Sequence, residues 1–112
     1  MLGIVLYLLS ANTTPIPANQ RALLLIEPLD VGGALAHLAA GYTSAVGHEA
    51  TAAALGELLG IPISMNRIEV QMKPGDMAVR MRMRSRVPEG KLLTADELKK
   101  IGFDLDLLHR LQ

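Results

Sequence analysis

The chain has 112 residues, half of them hydrophobic, with 11 Lys and Arg against 11 Asp and Glu. That is the size of one domain, 1–112, able to bury a core without staples. The zero net charge excludes a bulk nucleic-acid binder. The absence of cysteine excludes disulfides and thiolate metal sites. With Tyr7, Tyr42 and Phe103 as the only aromatics, a base-stacking platform is excluded too.

Leu2–Leu9 is an unbroken apolar run, too short for a membrane span of about 20 residues and with no Lys or Arg before it. It is expected to be a buried strand, and no membrane partner is expected. Ser10-Ala11-Asn12-Thr13-Thr14-Pro15 ends it and reads either as a surface loop or as a ligand loop at the end of a central strand. Ala22–Glu27 is a second short strand. Asp30 suits the cap of a helix over Val31–Ala40 that ends at Gly41.

The next helix starts at Ala45 or His48 and runs to Leu59, with Gly60 and Pro62 closing it. His48, Thr51, Ala52, Leu55 and Leu59 share one face, which puts His48 at the end of the buried stripe. Such a histidine can simply be packed at a helix start. Alternatively, the free N–H groups of the first turn form an anion site with His48 beside it.

Arg67–Lys73 and Asp76–Arg86 both alternate, around Lys73-Pro74-Gly75-Asp76, and are expected to form a hairpin. Pairing 72 with 77 also aligns 70 with 79 and 68 with 81, all apolar. Its polar side would carry Arg80, Arg82, Arg84 and Arg86, with Glu69 opposite Arg80. Arg67 would face Arg82, an unfavourable like-charge pair unless an anion sits between them. A solvated strand face is the plainer alternative. Thr94-Ala95-Asp96-Glu97 has the form of a capping box for a helix to about Ile101, ended by Gly102. Phe103–Gln112 fits either an edge strand or a short terminal helix.

Gly47-His48, Asn66-Arg67-Ile68-Glu69 and Arg86-Val87-Pro88-Glu89-Gly90-Lys91-Leu92-Leu93-Thr94, at these spacings, resemble the small viral ring nucleases that act as anti-CRISPR proteins against type III systems, together with their cellular CRISPR-associated relatives. The resemblance covers Ser44 to about Leu98 and is thinner before it. It implies an α/β fold, a mixed sheet flanked by helices, assembled as a homodimer. It also implies a pocket for cyclic tetra-adenylate at the dimer interface. By this resemblance His48 is the general acid, Arg86 and Glu89 complete the catalytic cluster, and Arg67 and Arg82 hold phosphates. Where the family carries an Asn-Ala pair and then a serine near the substrate, this chain has Ser10, Ala11, Asn12 and Thr13, with the Thr13 hydroxyl in the serine's place.

The chemistry expected is metal-independent and cofactor-free, with linear adenylates ending in 2′,3′-cyclic phosphate as products. No DNA partner is implied, and the expected location is the cytoplasm, the host's if the gene is viral. The competing expectation is a protein that sequesters a cyclic nucleotide or short RNA without cutting it. A third is an inert structural protein.

Overall fold

A computed structural model describes residues 5–10, 15–85 and 93–112. The elements in chain order are β1 (Leu6–Leu9), β2 (Leu24–Leu29), α1 (Val31–Leu38), β3 (Thr43–Ser44), α2 (Glu49–Leu59), β4 (Met77–Met83), α3 (Ala95–Ile101) and β5 (Phe103–Arg110). They form one mixed five-stranded sheet in the order β2-β5-β4-β1-β3. β1 runs parallel to both β3 and β4, and β5 runs antiparallel to β4 and β2.

Local chemistry sets the helix ends. The Asp30 carboxylate accepts from the Gly33 N–H at 2.6 Å, which satisfies a free donor of the first turn of α1. The Thr94 hydroxyl does the same for Glu97 N–H at 3.1 Å in α3. α2 closes on Gly60, whose φ of 74° is left-handed and suits glycine. A Cβ on Gly56 would come within 2.8 Å of the Ile61 carbonyl oxygen, so the chain folds back tightly just past the helix.

One register row, Leu8–Val79–Leu107, marks the sheet face that carries the main core. Ala34 and Leu38 of α1, Ala52, Leu55 and Leu59 of α2, and Leu98 of α3 join the same cluster. Each large apolar side chain buried there contributes about 1.5–3 kcal/mol. The opposite face carries a smaller cluster of Leu9, Met72, Ala78 and Leu108, covered by loop residues Ile16 and Val70 instead of a helix.

The expected hairpin does not form. Residues 67–73 are not a strand, and the neighbours of β4 are β1 and β5. The turn itself is present: Asp76 N–H donates to the Lys73 carbonyl at 2.9 Å, and Gly75 has a φ of 94°. Proline followed by a left-handed glycine fits a type II turn, which splays strands instead of joining them in a tight hairpin. The exit is drawn to β5, with Gly75 N–H donating to the Arg110 carbonyl at 2.7 Å.

Phe103–Arg110 is therefore a strand, and an interior one, not an edge: it fills the place between β4 and β2. Opposite Arg80 stands Asp106, not Glu69, and opposite Arg82 stands Asp104, not Arg67. Among the described residues, no helix is long and apolar enough to cross a membrane.

Candidate active site

Because β1, β3 and β4 are parallel, their C-terminal ends lie along one border of the sheet. This is the border where open α/β sheets place their ligands. Ser10 follows β1, Ala45–His48 follow β3, and Arg84 and Ser85 follow β4.

A set of backbone-directed bonds builds the border beside β3. Ala45 N–H donates to the Leu8 carbonyl at 2.9 Å. Asn66 is the staple: its amide nitrogen donates to the Ser44 carbonyl at 2.7 Å and its backbone N–H to the Val46 carbonyl at 2.8 Å. The Ser44 hydroxyl donates to the Ser64 carbonyl at 2.7 Å and accepts from Val46 N–H. Val46 is fully buried beneath. Arg67, the next residue after the staple, then lies against the chain leading into α2. Its Nε donates to the Gly47 carbonyl at 3.1 Å.

His48 is the N-cap of α2, with extended backbone (φ −130°, ψ 132°) and no cap hydrogen bond from its side chain. The imidazole is exposed and not spent on holding the helix. The fold thus seats the Arg67 guanidinium on the residue directly before His48, at the N-terminus of α2. Among the described residues no carboxylate lies within ion-pair distance of Arg67. An open cleft of about 630 Å³ adjoins this corner; Leu9, Ala45, Ile68 and Glu69 line one side and Pro15–Asn19 the other. Its lining includes the immediate neighbours of Ser10 and Arg67.

Arg82 is not brought to this corner. Its guanidinium lies 3.2 Å from Asp106, which already receives a two-pronged bond from Arg80 at 3.0 and 2.8 Å. Arg80 and Asp106 are 4% and 3% exposed, so this pair is internal. Further along, Arg84 forms the same fork with Asp104 at 3.2 and 2.8 Å. The hydrogen bond from Arg84 pulls the Asp104 carboxyl below its ordinary value, and the same bond raises Arg84. The like-charge pair that argued for an anion at Arg82 therefore does not exist. Arg82 lines a separate cleft of about 540 Å³ with residues of β2 and β5.

Ser10 lies half-buried at the end of β1. Ala11, Asn12, Thr13, Arg86 and Glu89 lie outside the described residues. The sequence reading missed the positioning roles of Ser44 and Asn66. Asn66, directly before Arg67, was visible only as part of a motif.

A mixed sheet with its polar corner at the C-terminal ends of parallel strands defines a small α/β protein, and comparison gives it a family. The family model described as STIV B116-like matches residues 6–105, and the chain belongs to that family. It is 38% identical over 114 residues to ORF117 of Acidianus two-tailed virus, covering 98% of this chain and 97% of the relative. Protein 26 of a Sulfolobus islandicus filamentous virus is 33% identical, covering 90% and 87%. YddF of Bacillus subtilis is 38% identical over 77 residues, covering 69% and 71%. In fold, the chain is similar to B116 of Sulfolobus turreted icosahedral virus, with a TM-score of 0.71 at 23% identity, covering 94% of this chain and 98% of that one. These placements agree with the viral family that the His48 and Arg67 motifs resemble.

Proposed function

We propose that the protein is a metal-independent ring nuclease that opens cyclic tetra-adenylate and so switches off the type III CRISPR signal. The observation that carries this is Arg67 seated on the Gly47 carbonyl, directly before the exposed His48 at the start of α2, with no carboxylate partner among the described residues.

The chemistry needs little else. A ribose 2′-hydroxyl held in line attacks its own 3′-phosphate. The 2′-oxygen bonds to phosphorus, the bond to the 5′-oxygen breaks, and that oxygen leaves with a proton. Histidine exchanges protons near neutral pH and supplies that proton. Arginine neutralises the charge that grows on the phosphate. Arg67 holds the phosphate at the N-terminus of α2, whose free N–H groups add to the field. By the same resemblance Arg86 and Glu89 complete the cluster.

An open cleft on one border of one chain encloses only part of a four-nucleotide ring. This favours two copies related by a two-fold axis, each placing its His48 at opposite phosphates. The test is incubation of the protein with cyclic tetra-adenylate in EDTA. Linear adenylates with 2′,3′-cyclic phosphate ends are expected. Intact ring that stays bound would show a sequestering protein instead, and intact ring that never binds would overturn the reading altogether.

A further inference from the structure

Arg110, at the end of β5, is a buried cation that the proposed chemistry does not use. It is 5% exposed, and among the described residues no Asp or Glu side chain lies within ion-pair distance of it. A guanidinium taken out of water without a counter-charge is costly unless its donors are satisfied. Here they are directed to uncharged acceptors of three separate segments. Nε donates to the Gln112 main-chain oxygen at 3.0 Å. The two terminal nitrogens donate to the Met72 carbonyl, to Gln20 Oε1 at 3.4 Å and to the Arg21 carbonyl at 3.4 Å. The turn into β4 aims this fork, since Gly75 N–H donates to the Arg110 carbonyl and Arg110 N–H to the Asp76 carbonyl at 3.0 Å.

Two of those segments are the walls of the cleft beside Arg67. One wall, residues 68–71, runs directly into Met72; the other, residues 15–19, runs directly into Gln20 and Arg21. Met72 is a fixed post, 1% exposed in the cluster beneath the loops. Its N–H holds the near end of the second wall by donating to the Pro15 carbonyl at 2.9 Å. The far end has little of its own. Pro15 and Pro17 have no N–H to give, and no helix covers this face of the sheet. Arg110 joins that far end, at Gln20 and Arg21, to the same post.

We propose that Arg110 is a positioning residue that clamps the Pro15–Asn19 wall in place across the cleft. It lines no part of the cleft itself and acts through the loop. Its meaning for the reaction rests on the nuclease reading. A wall held in place before the ring arrives spares binding the entropy of ordering that loop. Proton delivery by His48 does not pass through it. Loss of the clamp therefore weakens binding and leaves cleavage of the bound ring alone.

Nitrogen-15 relaxation of the backbone amides tests the clamp with no nucleotide present. In the unaltered protein Ala18 and Asn19 should show order parameters of about 0.85, the rigid value, falling below about 0.6 in Arg110→Met. The β4–β5 ladder around Met81 and Leu105 should keep its values. Low values at Ala18 and Asn19 before substitution, or none lost after it, overturn the proposal. An equal fall throughout the sheet also overturns it, since Arg110 would then only stabilise the whole fold. If Arg110→Met does not fold, Gln20→Ala decides. That side chain is exposed, and its loss should loosen the same two amides; no change there overturns the clamp. Binding of cyclic tetra-adenylate is the second arm. Arg110→Met should weaken it about tenfold, with the single-turnover rate at saturation within about twofold. Full affinity despite a loosened wall would overturn the role in binding. Failure of the unaltered protein to bind the ring would count against the nuclease reading, and the relaxation arm would still decide the clamp.

Discussion

Two corners of this molecule hold arginines, and they use them in opposite ways. Along β4, Arg80 and Arg82 share Asp106 of β5 and Arg84 pairs with Asp104, so each of the three has a carboxylate within the sheet. At the entrance to α2, Arg67 is held by a backbone carbonyl beside His48, and the described carboxylates leave it unpaired. A row of arginines in a sequence looks like an anion site, yet here Arg80, Arg82 and Arg84 are each tied to a carboxylate of the neighbouring strand. Of the two groups, only Arg67 has no carboxylate partner among the described residues, which is why the proposed reading gives it the phosphate. What separates them is whether the neighbouring strand offers carboxylates on the same face.

The contrast breaks most visibly at Asp106. Asp106→Ala leaves Arg80 buried with no counter-charge and should lower stability by about 3–5 kcal/mol in chemical denaturation. A loss well under about 1 kcal/mol would mean that the β4–β5 arginines are not committed to each other's strand. On the proposed reading, Arg67→Ala removes a charged contact to the phosphate and should weaken binding of the ring by about 1.5–3 kcal/mol, roughly ten- to a hundredfold. Its unfolding midpoint should barely move, since Arg67 is exposed. Unchanged affinity would remove this corner from the binding site.

The smallest effect belongs to Asp104. Its folded carboxyl titrates below the ordinary 3.8 because Arg84 hydrogen-bonds it. The pair therefore stabilises the fold above that ordinary value and loses its effect as pH falls through the lowered one. Both groups are exposed, so solvent screens the gain. In a carbon-13 carboxyl titration, Asp104 should return towards 3.8 in Arg84→Ala. A midpoint indifferent to Arg84 would show that the fork does not persist in solution.

Helix ends were legible because capping is local chemistry. Asp30, Gly60, Thr94 and Gly102 each act within a few residues of their own position. Strand partners were not, because they depend on segments far apart. Residues 67–73 alternate well enough to suggest a strand, but a type II turn leads away from them. Phe103–Arg110 is the better mate for β4: Leu105 and Leu107 match Met81 and Val79 on the core face, while Asp104 and Asp106 match Arg82 and Arg80 on the other. Alternation reveals a strand's faces and says nothing of its neighbour. His48 and Arg67 were legible as parts of motifs. The seating of Arg67 on the Gly47 carbonyl rests on Ser44 and Asn66, whose bonds join segments about twenty residues apart.

The most direct test of the site is single-turnover cleavage of cyclic tetra-adenylate by His48→Ala in EDTA, with ring binding measured in parallel. A departing 5′-alkoxide needs a proton, and a positioned general acid typically contributes about 10²–10⁴-fold. The rate should fall at least about a hundredfold while affinity for the intact ring holds, because the proposed mechanism assigns the phosphates to the arginines and only the proton to His48. Cleavage by His48→Ala at the wild-type rate would contradict the mechanism, whatever the ring's affinity.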